Sequence, residues 1–182
     1  MVEITYQMVL STLQTIALIV GIAYYLFIMR NSQRNQNIQI ETRQTQLFMQ
    51  IYEKLNSEES MKSWAELVNQ QVPDYDEFLQ KYDSSVNPAH YAKRARIWYT
   101  YNSIGELLRM GTIKPELLTR LKLDTQVIAM WDKWEPIILE TRERENVPDN
   151  WQGFEYLYNE MKNLRESRGY PAMTLHYLDR SS

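Results

Sequence analysis

The chain has 182 residues, a formal net charge of −3 and no cysteine. Without cysteine it cannot form disulfides or a thiolate zinc site, and its acidic balance argues against a dedicated nucleic-acid binder. With 44% hydrophobic residues, 24% charged residues, 5 Gly and 6 Pro, the composition is typical of a packed domain and excludes collagen-like or low-complexity chains.

An uncharged, largely apolar run covers residues 8–29. At about 1.5 Å per residue, a helix of this length crosses a hydrocarbon core of roughly 30 Å. We therefore predict a transmembrane helix at 8–29, after a short extracytoplasmic segment at 1–7. A buried core helix and a cleaved signal peptide are the alternatives. The signal peptide is disfavoured because residues 1–29 contain no Lys or Arg.

Charges that flank the run indicate its orientation. Arg30 and Arg34 follow the run, whereas Glu3 is the one charged residue before it. The positive-inside tendency then predicts a single-pass protein of the cell membrane, with its N-terminus outside and its C-terminal domain in the cytoplasm. The same two arginines are candidate contacts for anionic lipid headgroups.

Residues 30–46 are predicted to form a polar helical stalk. No Gly or Pro occurs between Gly21 and Pro73, so nothing in the sequence forces the membrane helix to stop at the bilayer surface. An alternative is a dimeric coiled coil, although its apolar repeat is shorter than three clean heptads. Its core positions would be Ile40, Gln44, Leu47, Ile51 and Leu55.

A helical domain is predicted over residues 47–170, followed by a C-terminal tail at 171–182. Helix starts are indicated by capping residues or by proline at the first helical position, and helix ends by glycine. The expected start signals are Ser57, Asp74, Asn87-Pro88, Lys114-Pro115 and Asp124, and the expected end signals are Gly111 and Gly169. Because Pro136 lies inside one apolar helical pattern, we expect a kink or a break near residues 133–135.

No window alternates with the period of a strand, so the sequence predicts an all-α fold. One N-terminal transmembrane helix should continue into the polar stalk and then into a small, aromatic-rich helical bundle. The 5 Trp, 13 Tyr and 4 Phe give a short chain large rings with which to fill a core.

Three stretches carry a resemblance to a known family. They are Asn102-Ser-Ile-Gly-Glu-Leu-Leu-Arg-Met-Gly111, Val127 to Arg142 with Trp131 and Trp134, and Trp151-x2-Phe154-Glu-Tyr-Leu157. Together they resemble an uncharacterised domain-of-unknown-function family of prokaryotic membrane-anchored helical proteins, most strongly over residues 98–157. The resemblance implies the same topology and supplies no reaction.

Familiar catalytic motifs are missing from the sequence, including phosphate-binding loops, H-E-x-x-H and the nucleophile elbow. We therefore expect no metal and no cofactor. The two histidines, His90 and His176, have no partner that would indicate catalysis; His90 is expected at a helix start and His176 in the tail.

Four polar residues stand out as structural or functional candidates, because each lies beside apolar neighbours. They are Glu106, Glu135, Arg142 and Glu155. Carboxylates that converge in a cleft can act as general acids or bases. The simpler interpretation is that they pair with Arg94, Arg109 or Arg142, because a buried carboxylate without a partner is costly.

The sequence favours a membrane-tethered interaction or scaffold module whose partners are the lipid bilayer and either another protein or a second copy of the chain. No nucleic-acid partner is expected. The alternative function is that of an enzyme whose active site contains the three glutamates. A small-ligand sensor is a further alternative, and it would require a cavity lined by Trp98, Trp131 or Trp134.

Overall fold

The computed structural model describes residues 6–171, and within them it is all helical, with no strand. The predicted all-α fold is therefore confirmed. Predictions for the first five residues, including Glu3, and for the tail from residue 172 onward, including His176, lie outside the described residues. The helices are α1 (Tyr6–Leu55), α2 (Glu58–Asn69), α3 (Tyr75–Tyr82), α4 (Pro88–Arg109), α5 (Pro115–Arg120), α6 (Leu123–Arg144) and α7 (Gln152–Ser167).

Helix α1 runs without interruption for 50 residues, as the absence of Gly and Pro after Gly21 predicts. Its apolar part is long enough and apolar enough to cross a membrane, and none of that part is buried against protein. Leu18 and Phe27, for example, are 65% and 66% exposed. The structure therefore does not support the alternative of a buried core helix.

The chain divides between Gln46 and Leu47 into two compact units. In the second unit, most helices start as their sequences predict. The Ser57 hydroxyl accepts a hydrogen bond from the backbone N–H of Ser60, and Asp74 accepts one from that of Glu77. Asn87 accepts one from the N–H of His90. Each bond satisfies an N–H that has no acceptor inside its own helix, so local chemistry fixes these starts.

One expectation for α6 is wrong. The helix begins at Leu123, after Lys122 in a left-handed conformation, and the Asp124 carboxylate does not cap it. Instead, Asp124 is buried and pairs with Arg165 of α7 at 3.0 Å. Of the kink or break expected near Pro136, the structure excludes the break, since α6 continues to Arg144. Buried side chains on both sides of the proline hold the helix against the core despite the lost backbone hydrogen bond.

The core of the second unit is built mainly from α4, α6 and α7, and large rings fill it. Trp134, Tyr101 and Phe154 have no exposed surface, and Trp131 has 1%. The Trp131 ring meets the Phe154 ring edge-on, with centroids 5.0 Å apart. These contacts have the geometry that aromatic pairs prefer.

Helices α4 and α7 touch at two glycines. A Cβ placed on Gly105 would lie 1.7 Å from the carbonyl oxygen of Gly153, which leaves no room for a side chain. At the same contact, the Asn102 side-chain oxygen accepts a hydrogen bond from the N–H of Phe154 at 3.2 Å. Trp151, the residue that precedes α7, makes no side-chain cap, so α4 supplies the cap instead.

Candidate functional site

The three predicted glutamates each have a separate polar partner. Glu106 pairs with Arg109 one turn along α4 at 2.5 Å, and Glu135 accepts a hydrogen bond from the Trp131 indole at 3.2 Å. Glu155 pairs with Arg142 at 2.8 Å. In the described part of the chain, no group of three or more Asp, Glu or His side chains is placed to hold a metal ion. The geometry agrees with structural pairing.

Arg142 links α6, α7 and the loop between them. Its side chain is 13% exposed, and besides the pair with Glu155 it donates through Nε to the carbonyl of Asn150 at 2.8 Å. The pair with Glu155 of α7 is one of the carboxylate–arginine pairs that the simpler interpretation of the sequence allows. Arg142 thus holds the start of α7 in place, next to the Gly105–Gly153 contact.

Arg94 is a buried charge that was expected to pair with one of the three glutamates, and it does not. It is 7% exposed, and no carboxylate among residues 6–171 lies within ion-pair distance of it. Its guanidinium carbon lies 4.5 Å from the Phe78 ring centroid and 5.3 Å from that of Trp98, and Nη1 donates to the carbonyl of Tyr82 at 3.3 Å. Aromatic faces and one backbone carbonyl therefore surround this charge, and a cation is attracted to both.

A cleft of about 250 Å³ opens beside Arg94, which we call the Arg94 cleft. It lies between α3, α4, α6 and the loop before α7. Six aromatic side chains line it, together with Arg94 and the carboxylates of Asp83 and Glu145. The six are Tyr75, Phe78, Tyr91, Trp98, Tyr99 and Trp151. The cleft thus combines apolar walls with charges of both signs, the arrangement found in small-molecule sites.

The charged groups of the cleft have shifted pKa values with identifiable causes. Burial lowers the pKa of Arg94 to about 10, which still leaves the guanidinium charged near neutral pH. Hydrogen bonds from the hydroxyl and backbone N–H of Ser85 lower the pKa of Asp83. Burial, reinforced by a hydrogen bond to Glu145, raises the pKa of Tyr75. The cleft therefore brings the Arg94 guanidinium together with the carboxylates of Asp83 and Glu145.

Of the three tryptophans proposed to line a ligand cavity, the structure places Trp98 in the cleft. Trp131 and Trp134 are buried in the core. The sequence indicates Arg94 as a partner for the glutamates and Trp151 as part of the family resemblance, but it assigns neither to a cleft. A signal for Arg94 was present: with Ile97, Trp98 and Tyr101 it follows the i, i+3, i+4, i+7 spacing of the buried face of α4.

His90 lies at the first turn of α4, as expected, but it is more enclosed than a surface residue. Its ring is half-buried, 4.2 Å from the Tyr82 ring, and Nε2 lies 2.8 Å from the Gln70 side-chain oxygen. Burial first, and then the charges of Arg94 and Lys93, lower the pKa of His90 to about 4. The imidazole is therefore neutral near pH 7.

Arg30 and Arg34 are exposed on α1 directly after its apolar part. No ion pair joins either of them to another residue of the described chain.

These features define an all-α protein with one candidate membrane helix and a helical domain that holds an aromatic, charged cleft. The chain belongs to the DUF4760 family, a domain of unknown function whose sequence model matches residues 11–161. The expected membership of an uncharacterised family is confirmed. The match includes most of the apolar part of α1 and all or part of every later helix. No curated protein and no solved structure matched the chain.

Proposed function

We propose that the chain is a membrane-tethered helical interaction module. Residues 8–29 span the bilayer, and the helical domain at 47–170 binds a protein partner or a second copy of the chain. The observation that carries this proposal is the apolar part of α1, none of which is buried against protein. Water disfavours such a surface by about 25 cal/mol per Å² of apolar area, whereas lipid accepts it.

The proposed orientation places the helical domain in the cytoplasm. Arg30 and Arg34 follow the span, and both are exposed. At that position they meet the negative surface of the inner leaflet, which attracts each of them by about 1 kcal/mol.

We place the protein contact on the helical domain rather than on a zipped stalk. Two of the five positions of the alternative coiled coil, Ile51 and Leu55, pack against the core of the second unit. A parallel coiled coil needs these side chains to face a partner helix, so the domain and the coiled coil compete for them.

Extraction of membrane vesicles with alkaline carbonate tests the tether. The full-length chain should remain with the vesicles, and deletion of residues 1–30 should release a soluble helical domain. Protease added to inside-out vesicles should digest the domain, whereas protease added to right-side-out vesicles should leave it intact. Release of the full-length chain by carbonate would refute the tether, and the opposite protection pattern would refute the orientation.

Chemical crosslinking in native membranes tests the interaction. We expect a species heavier than the monomer that persists when residues 30–46 are replaced by another polar helical sequence. The monomer alone, under several growth conditions, would refute the interaction module. Loss of the heavier species on stalk replacement would move the contact to the stalk.

A second candidate function is a small-ligand sensor, and the Arg94 cleft favours it. A cleft of about 250 Å³ with aromatic walls and a buried guanidinium can hold a small molecule. Because Trp98 and Trp151 both line the cleft, a ligand that enters it should change their fluorescence.

A further inference from the structure

Arg94 has hydrogen-bonding capacity that the described protein does not use. A guanidinium has five N–H donors in a fixed planar fork, and one hydrogen bond is observed, from Nη1 to the carbonyl of Tyr82. Phe78, Tyr91 and Trp98 offer their ring faces, which attract the charge but accept no strong hydrogen bond. Carboxylates and phosphates are the groups that match such a fork.

Asp83 stands near Arg94 without pairing with it. Both residues line the cleft, and Asp83 acts on Arg94 through its charge, yet the two form no ion pair. The Asp83 Oδ1 atom accepts hydrogen bonds from Ser85, which holds the carboxylate in place beside the cleft. Arg94 and Asp83 therefore present a positive and a negative group at separate points of one cleft. A molecule with one carboxylate and one ammonium group would complement them.

The remaining walls suit a short apolar body. Tyr75, Phe78 and Trp151 contribute ring surface to the cleft, and a volume of about 250 Å³ has room for a molecule no larger than a single amino acid or a very short peptide. Phosphates fit less well, because Asp83 and Glu145 would repel a group with two negative charges.

We propose that the Arg94 cleft binds a small zwitterion of the amino-acid type. Its carboxylate accepts hydrogen bonds from Arg94, its ammonium group donates to Asp83, and its side chain lies against the aromatic walls. This inference rests on the sensor candidate and names the class of ligand. It does not depend on the membrane tether, which carbonate extraction tests separately.

Calorimetric titration of the detergent-purified full chain tests the proposal. The probes are free L-amino acids, added one at a time at millimolar concentration. For any that binds, the matched amine without the carboxylate and the matched acid without the ammonium group follow. We expect saturable binding of at least one amino acid, and affinities about tenfold lower or worse for both singly charged analogues. The proposal would be overturned if no amino acid gave a binding signal. It would also be overturned if the matched acid bound as tightly as the amino acid.

Variants assign the charges to their residues. Arg94→Met should weaken binding of the zwitterion by about tenfold to a hundredfold, the range for hydrogen bonds to a charged group. Arg96→Met is the matched control, because Arg96 lies on the same helix but pairs with Glu59 outside the cleft. Unchanged affinity in Arg94→Met, or equal loss in Arg96→Met, would overturn the assignment.

Asp83→Asn keeps the proposal falsifiable if Arg94→Met does not fold. This substitution should weaken binding of the zwitterion and at the same time strengthen binding of the matched acid, because it removes the repulsion between Asp83 and a lone carboxylate. A merely structural role for Asp83 would move both affinities in the same direction, and that result would overturn the proposed contact with the ammonium group.

Discussion

The contact between Gly105 and Gly153 gives the most direct test of how the helical domain is held together. In Gly105→Ala, the new Cβ would lie 1.7 Å from the carbonyl oxygen and 2.5 Å from the carbonyl carbon of Gly153. Both atoms belong to the backbone, so no side chain can rotate away. To remove the clash, α7 must move away from α4 by about 1.3 Å. The distance from the Cβ to the carbonyl oxygen would then be about 3.0 Å, the shortest that real Cβ atoms show.

The cost of that movement follows from the interactions at the contact. The hydrogen bond from the Phe154 N–H to Asn102 starts at 3.2 Å and would be lost, at about 1 kcal/mol. The edge contact between Phe154 and Trp131 would loosen, at about 0.5–1.5 kcal/mol, and overpacking strain adds about 1–2 kcal/mol. The better helix propensity of alanine returns up to about 1 kcal/mol. We expect a net loss of about 2–3 kcal/mol.

Thermal unfolding of the full chain in detergent, followed by tryptophan fluorescence, measures this loss. For a domain of this size, 2–3 kcal/mol corresponds to a fall in Tm of roughly 5–15 °C. Gly21→Ala is the matched control, since it is the same substitution in a helix and its Cβ would meet nothing within 4 Å. A wild-type Tm for Gly105→Ala would refute the close approach of α4 and α7, as would an equal fall in the control.

Three further predictions concern polar groups of the domain. The pKa of His90 is lowered to about 4, so the unfolded chain takes up a proton below about pH 6.5 that the folded chain does not. The free energy of unfolding should therefore fall by about 1–2 kcal/mol as the pH drops from 7 to 4, after allowance for the half-exposed ring. Urea unfolding at a series of pH values measures this fall, and His90→Asn should reduce it. Asp124→Asn should cost about 2–3 kcal/mol because Arg165, whose side chain is 18% exposed, loses its buried anion. A double-mutant cycle with Arg165→Met should show that the two losses do not add; additive losses would contradict the pairing. Asn102→Ala should cost about 1 kcal/mol by removing the acceptor for the Phe154 N–H, and an unchanged Tm would contradict that cap.

Local sequence chemistry predicted most of the fold. Ser57, Asp74 and Asn87 cap their helices because a capping bond joins a side chain to a backbone N–H three residues away, and no other part of the chain needs to be known. Gly111 and Gly169 end helices with φ of 70° and 72°, the left-handed conformation that glycine adopts without strain.

The failures have the opposite cause, because they depend on groups far apart in the sequence. The residues around Asp124 predict that it caps a helix. Instead, its carboxylate accepts a hydrogen bond from Arg165, which lies 41 residues away in the sequence. By contrast, the carboxylate–arginine pairs that the sequence allowed include the observed pair of Glu155 with Arg142. Periodicity shows that a charge lies on a buried face, but it does not show which opposite charge the fold brings there.

The Arg94 cleft shows how this limit applies to a site. Arg94 follows the spacing of the buried face of α4, and an arginine on such a face needs a partner that the sequence does not name. Among the described residues that partner is a set of rings from α3 and α4. The sequence therefore indicates three glutamates that prove to have structural partners. It does not identify Arg94 as a charge that lines a cleft.

The walls of the cleft are fixed by the core itself, which bears on how a ligand would bind. The Trp98 ring lines the cleft and also packs edge-on against Trp134, with centroids 5.6 Å apart. Trp134 is in turn fixed by a hydrogen bond from its indole N–H to the carbonyl of Leu67 on α2 at 3.2 Å. Because these rings are already held in place, a bound molecule would not have to order them, and the entropy cost of forming the site is met during folding. Substitutions at Trp134 should therefore weaken ligand binding and stability together, whereas Asp83→Asn should separate the two.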